Sequence, residues 1–318
     1  MTTRHRSVWL NRYLRFMVLA TLFLIVAGGL VTSQDYGLAV PDWPKSYGMW
    51  FPPMIGGVFY EHGHRMIASF VGFLTVVLTA WLWLKEPRKG VRLLGAGALL
   101  LVIVQGIFGG ITVLYFLPTW VSTVHATLAQ TFFCLIVGLT VLTSSGWIDA
   151  DKNPSRVSGP NPTVRFAVTA ALIFIQLVLG SWMRHSNAAL AIPDFPLAFG
   201  KVIPDFTTPE IAIHFSHRVG ALIVLVFTLS NFAVVLRTYK TEKRILRPVV
   251  LSMILVLVQI TLGAFTIWKK TAVVVATSHV VVGAVILATS LLITLRSYRL
   301  FSESRNPAPT WEAMARTA

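Results

Sequence analysis

Cysteine is nearly absent from this chain: Cys134 is the only one in 318 residues, so no intrachain disulfide can form. Acidic residues are scarce as well. Twelve Asp and Glu stand against 27 Lys and Arg, and charged residues of both signs make up only 12% of a sequence that is 55% hydrophobic. A water-facing surface is not sustained over this length on so little charge, which excludes a soluble globular protein and implies an integral membrane protein. The net charge of +15 does not mark a nucleic-acid partner, because the basic residues are spread over five short segments between apolar runs.

What the chain has in abundance is long apolar runs. Eight reach the roughly 20 residues a membrane span needs: 16–33, 65–84, 92–114, 120–142, 165–184, 212–236, 248–268 and 273–295. All should be helices, since lipid offers no partner for backbone N–H and C=O groups. The expected fold class is therefore an all-α integral membrane protein with eight transmembrane helices. The first run has a basic flank like a signal sequence, yet Val31-Thr32-Ser33 lacks a small-x-small cleavage pattern, so it reads as a retained helix. Arg4, Arg6, Arg12 and Arg15 precede it. Lys85, Arg88, Lys89 and Arg92 follow the second run, Lys152, Arg156 and Arg165 the fourth, Arg237, Lys240, Lys243, Arg244 and Arg247 the sixth, and Arg296, Arg299, Arg305 and Arg316 the last. The positive-inside rule puts these segments and both termini in the cytoplasm.

The chain also repeats itself. His64 and His217, each in a His-Arg pair, lie 153 residues apart, and His125 and His279 lie 154 apart. Pro41-Asp42-Trp43 recurs as Pro193-Asp194-Phe195, and Val104-Gln105 as Val258-Gln259. Four helices per copy make both copies enter from the same side, a parallel repeat, and two four-helix bundles side by side are expected. The halves are 1–146 and 165–300, joined by a polar linker at 147–164 and followed by a tail at 301–318. The long outer loops, 34–63 and 185–211, are rich in Pro, Gly and aromatics and suit lids.

This topology sets all four repeated histidines at the outer ends of helices two, four, six and eight. Two imidazoles in each half can then face one another as ligands on opposite faces of a flat cofactor, and haem is the leading candidate. A lone membrane histidine is more often a helix-to-helix hydrogen-bond donor; four at repeated positions favour ligation. The copies differ one helical turn before the ligand, where Glu61 in the first half is matched by His214 in the second. A carboxylate there either acts on a bound ring or answers the helix dipole. Arg65 and Arg218 suit planar carboxylates, either of the cofactor or of Asp42 and Asp194. Gln105 and Gln259 read as helix bridges and Gly106 with Gly110 as a close helix contact. His5, in the basic flank, and His62 and His185, beside the outer loops, carry less weight. Cys134 reads as a packing residue.

The segment Gly37-Leu38-Ala39-Val40-Pro41-Asp42-Trp43-Pro44, Glu61 through Arg65, His125, the echo Ile192-Pro193-Asp194-Phe195-Pro196, His217-Arg218 and His279 together resemble the haem A synthase family of bacteria and mitochondria. The resemblance implies conversion of haem O to haem A by successive hydroxylation of a ring methyl to a formyl group, for terminal oxidases. It implies substrate haem O on His64 and His125, haem b on His217 and His279, and Glu61 assisting at the methyl. It also implies the bacterial inner membrane as location, with membrane lipid, haem O synthase, oxidase assembly factors and a second copy in a homo-oligomer as candidate partners. Many bacterial relatives carry cysteines where this chain has Val40 and Ser46, and some also at Ile192 and Ala198, so a mechanism needing loop thiols cannot operate here. Two other classes share these features: a di-haem cytochrome relaying electrons between quinone and a partner, and a parallel-repeat transporter, whose polar groups should lie nearer mid-membrane.

Overall fold

The computed structural model describes residues 8–148 and 159–304. His5 with Arg4 and Arg6, the linker cations Lys152 and Arg156, and Arg305 and Arg316 of the tail lie outside the described residues. Eight long helices run through the rest: α1 (Val8–Ser33), α2 (Gly57–Lys85), α3 (Lys89–Leu114), α4 (Thr119–Leu142), α5 (Thr163–His185), α6 (Pro209–Thr238), α7 (Lys243–Trp268) and α8 (Val273–Ser304). A single helical turn, Ser145–Ile148, follows α4. Each of the eight is long and apolar enough to cross a membrane. Even α5, with 23 residues, reaches about 35 Å against a hydrocarbon core of about 30 Å. Among the described residues there is no β-strand, only isolated bridges at Ser46–Met49 and Ala198–Lys201 in the outer loops.

All of the helices but α8 begin before the apolar runs that announce them. α2 starts at Gly57, so Glu61 and His64 lie inside its first two turns, and α6 starts at Pro209 behind the N-cap Thr208. Backbone hydrogen bonding continues a helix past the hydrocarbon as long as its polar side chains find an interior to face. Pro209 stands where a missing N–H costs nothing.

α1 packs on α2, α2 on α3, α3 on α4 and α4 back on α1; α5 to α8 are related in the same way, with α5 against α8. The two sets meet where α8 lies against α1 and α4, and α4 against α5. Cores fill the end of each set away from the long outer loops. Leu10, Leu14, Met17, Leu74, Leu78, Leu82, Phe132, Ile136 and Leu139 form one, and Phe166, Val235, Tyr239, Ile245, Val249, Ile293 and Phe301 the other. Ile25, Phe133, Val137 and Ala284 join them across the seam. Cys134 packs against the apolar cluster around Ile173 and Val224, as expected of a small hydrophobe. Leu93, Leu100, Ile103 and Ile107 of α3 are exposed, the outward apolar face of a helix that meets lipid.

The two outer loops share one backbone design. Tyr47 and Gly48 both take positive φ, as do Phe199 and Gly200, and at the second position of each pair only glycine does so freely. Asp42 accepts from the N–H groups of Tyr47 (2.6 Å) and Gly48 (2.8 Å), and Asp194 from those of Phe199 (2.8 Å) and Gly200 (2.9 Å). These donors, Gly48 and Gly200 foremost, hold both carboxyls below the usual carboxylate range.

Candidate functional site

With the apolar cores at the opposite end, the outer half of the helices is left open around one cavity of about 1500 Å³. A pocket for a single drug-sized ligand measures roughly 300–1000 Å³. His64 on α2, His125 on α4, His217 on α6 and His279 on α8 all line this cavity. His217 and His279 face each other with ring centres 6.5 Å apart and planes at 63°. Two metal–imidazole bonds of roughly 2.0–2.1 Å, with half a ring beyond each nitrogen, span about 6 Å between ring centres. The pair therefore fits a metal held between two imidazoles. Nδ1 of His64 is buried with no hydrogen-bond partner, which suits a ligand and not a helix-bridging donor.

Each imidazole lies against a glycine of the neighbouring helix. A Cβ at Gly28 would stand 3.0 Å from His64, at Gly109 3.1 Å from His125, at Gly180 2.8 Å from His217 and at Gly263 3.3 Å from His279. These contacts were not foreseen from the sequence. Their signal was present, because Gly180 follows Gly28 by 152 residues and Gly263 follows Gly109 by 154, within one residue of the histidine steps of 153 and 154. Gly106 and Gly110 do not make the expected helix contact: open space adjoins Gly106, and Gly110 lies beneath the Trp43 indole.

Glutamines complete the ring environment. Gln105 Nε2 stands 3.5 Å from Nε2 of His125, and Gln259 Nε2 3.3 Å from Nε2 of His279, so these residues bridge α3 to α4 and α7 to α8, as expected, and do so through the histidines themselves. Gln176 donates to the carbonyl of His217 at 2.7 Å and approaches its Nδ1 at 3.1 Å. Its repeat counterpart is Leu24, which gives His64 no such partner.

Residues 56–291 match the family described as COX15-CtaA, cytochrome oxidase assembly protein. The chain belongs to this family. It is 26% identical to the heme A synthase of Alkalihalophilus pseudofirmus over 282 residues, covering 87% of this chain and 93% of that protein. It is 25% identical to that of Geobacillus kaustophilus over 267 residues (82% and 83%), and 28% identical to that of Symbiobacterium thermophilum over 229 residues (70% and 72%).

In this COX15-CtaA protein the guanidinium groups of Arg65 and Arg218 lie elsewhere than on the loop aspartates. Arg65 donates to the main-chain carbonyls of Asp42 and Lys45, each at 2.8 Å, and pairs with Glu61 at 2.5 Å. Arg218 donates to the carbonyls of Leu197 (2.8 Å), Asp194 (2.7 Å) and Ile192 (3.2 Å). The aspartate carboxylates are engaged by their own turns, so the arginines tie down the loop backbone instead. Val40 and Ser46, at the positions where cysteines were expected from the resemblance, hold the first loop to α2. The Val40 N–H donates to Glu61 at 2.8 Å, and the Ser46 hydroxyl lies 2.7 Å from Nδ1 of His62. In the second half Ala198 and Phe215 replace Ser46 and His62. His185, set aside in the sequence as a loop residue, is half-buried at the end of α5 and lines the cavity beside Arg184.

Proposed function

We propose that the protein is a haem A synthase that oxidises a ring methyl of haem O to a formyl group. The observation that carries this reading is the one cavity that four repeat-related histidines line, each backed by a glycine that lets a neighbouring helix approach the imidazole. Family membership supports it. In this reading residues 1–146 form the half that receives haem O on His64 and His125, and 165–300 the half that keeps haem b on His217 and His279. The basic segments favour an orientation with the loops beside the cavity outside a bacterial inner membrane and both termini in the cytoplasm.

Bound tetrapyrrole iron supplies the oxidising power that side chains lack. The chain's residues do the rest. His64 and His125 would hold the ring, and Glu61 lines the same cavity. Glu61 is 4% exposed and held by Val40 and Arg65, so its carboxyl keeps one position on the cavity wall, where it can stabilise charge that develops at a ring substituent. The first loop, with Trp43 and Trp50 on the cavity wall, excludes water from the ring.

A di-haem electron relay would use the same four histidines. The unlike linings favour turnover in the first half: Glu61 and His62 there, His214 and Phe215 in the second. Haem extraction from membranes of cells that make haem O tests this. Haem A should appear with the wild-type chain and be absent with His64→Ala or His125→Ala, while haem b persists. Haem b should instead be lost with His217→Ala or His279→Ala. Haem b without any haem A in the wild type would overturn the synthase reading.

A further inference from the structure

We infer that Arg184 is a carboxylate-binding residue at the seam of the two halves, holding an acidic arm of the tetrapyrrole carried by His217 and His279; this rests on the reading of the histidine pairs as tetrapyrrole sites. Arg184 stands in the last turn of α5, is half-buried and lines the cavity. Its guanidinium, with five N–H donors, makes one side-chain hydrogen bond, to the Ser33 hydroxyl at 3.2 Å. Ser33 ends α1 and also receives the Thr277 hydroxyl of α8 at 3.0 Å, so the cation sits where three helices meet. Gly180, one turn before Arg184 on α5, abuts His217, and Thr277, two residues before His279 on α8, meets Arg184 through Ser33.

No carboxylate stands within ion-pairing distance of Arg184 among the described residues. Asp35, in the turn after α1, is exposed and makes no ion pair with it. The other two guanidinium groups on the cavity wall, Arg65 and Arg218, give their terminal nitrogens to loop carbonyls and Glu61, while Nε of Arg218 is buried without a partner. Three arginines against Glu61 leave the cavity wall with an excess of positive charge. A charge in that position is costly within a membrane unless a counter-ion meets it. A planar fork with free donors at the outer level suits a carboxylate, and a tetrapyrrole carries carboxylate arms on one edge. The position is particular to the second half. Its repeat counterpart is Thr32, whose hydroxyl turns back to the Gly28 carbonyl at 3.1 Å.

The test uses the full chain produced in haem-deficient cells and loaded in detergent with iron protoporphyrin or with its dimethyl ester, which has no carboxylates. Retention through gel filtration and the midpoint potential are read. Wild type should lose the ester roughly tenfold faster than the free acid. Arg184→Gln should lose the free acid about as fast as wild type loses the ester, show no further penalty with the ester, and have a lower potential with the free acid. Arg184→Lys should recover part of the retention. Equal retention of acid and ester by wild type, which requires no substitution, would overturn the inference even if Arg184→Gln failed to fold. An ester penalty of the same size in wild type and Arg184→Gln would place the carboxylates elsewhere, also against it. Failure of wild type to bind either compound would overturn the tetrapyrrole reading itself.

Discussion

Glu61 and His214 do the same mechanical task from repeat-related positions: Glu61 accepts the Val40 N–H at 2.8 Å, and Nδ1 of His214 accepts the Ile192 N–H at 3.2 Å. Each ties its outer loop to the helix that carries one of the repeated cavity histidines, His64 or His217. The clamp is common to both halves and only the charge is not. A functional difference at this position therefore rests on the anion and its Arg65 partner.

Glu61→His, which copies the second half, should keep the loop clamp and haem b while haem A formation falls by roughly ten- to a hundredfold. Glu61→Gln, which keeps an acceptor for Val40, should behave alike, whereas Glu61→Asp should retain partial activity. Chromatography of extracted haems, normalised to bound haem b, measures this. Near-normal haem A from Glu61→His would reduce the residue to a loop clamp.

The glycines at the histidine faces should rank by contact. Gly180→Ala sets a Cβ 2.8 Å from His217, tighter than the 3.3 Å at Gly263 and His279. Overpacking of this kind costs about 1–3 kcal/mol. Haem b per protein, read from the reduced absorbance spectrum, should fall more for Gly180→Ala than for Gly263→Ala, while Gly97→Ala, next to open space, should leave it unchanged.

Acid should loosen both outer loops. Asp42 and Asp194 have carboxyl pKa values below their ordinary ones because the folded turns donate N–H groups to the anions, those of Gly48 and Gly200 foremost. A lowered folded value contributes stability above the unfolded pKa of about 3.9, and that contribution is lost as pH falls through the folded value. Fluorescence of Trp43 and Trp50 should report an acid transition below about pH 4 that Asp42→Asn abolishes. A transition unaltered in Asp42→Asn would assign it to other groups.

Thiol reagents should have no effect. Cys134 lies within α4 against apolar neighbours, far along the helix from the outer loops. Haem A formation by the wild type and by Cys134→Ala should be equal, with or without an impermeant alkylating agent. Inhibition of the wild type alone would show that Cys134 is reached from water.

Much of the site was legible because it repeats. His64, His125, His217 and His279 stand out at a fixed step among residues that lipid disfavours, and the structure brings all four to one cavity. The partners of Arg65 and Arg218 were not legible. Carboxylates are the obvious partners for a guanidinium in a sequence, but main-chain carbonyls have no side-chain letter, and both arginines bind those. Gln176 was missed because nothing in the first half matches it, and Arg184 because a cation in the last turn of a helix passes for a dipole partner.

Composition and periodicity by themselves determined the eight helices, since a chain with so few charges can satisfy its backbone in lipid only by hydrogen bonding within each helix. Only the tertiary structure decided which glycines press on which imidazoles, which acceptor takes each arginine and where Arg184 is left with spare donors. Those outcomes depend on how far each helix is turned about its own axis and how closely it approaches its neighbour. These are contacts between residues up to 244 apart, such as Ser33 and Thr277, and no local pattern encodes them.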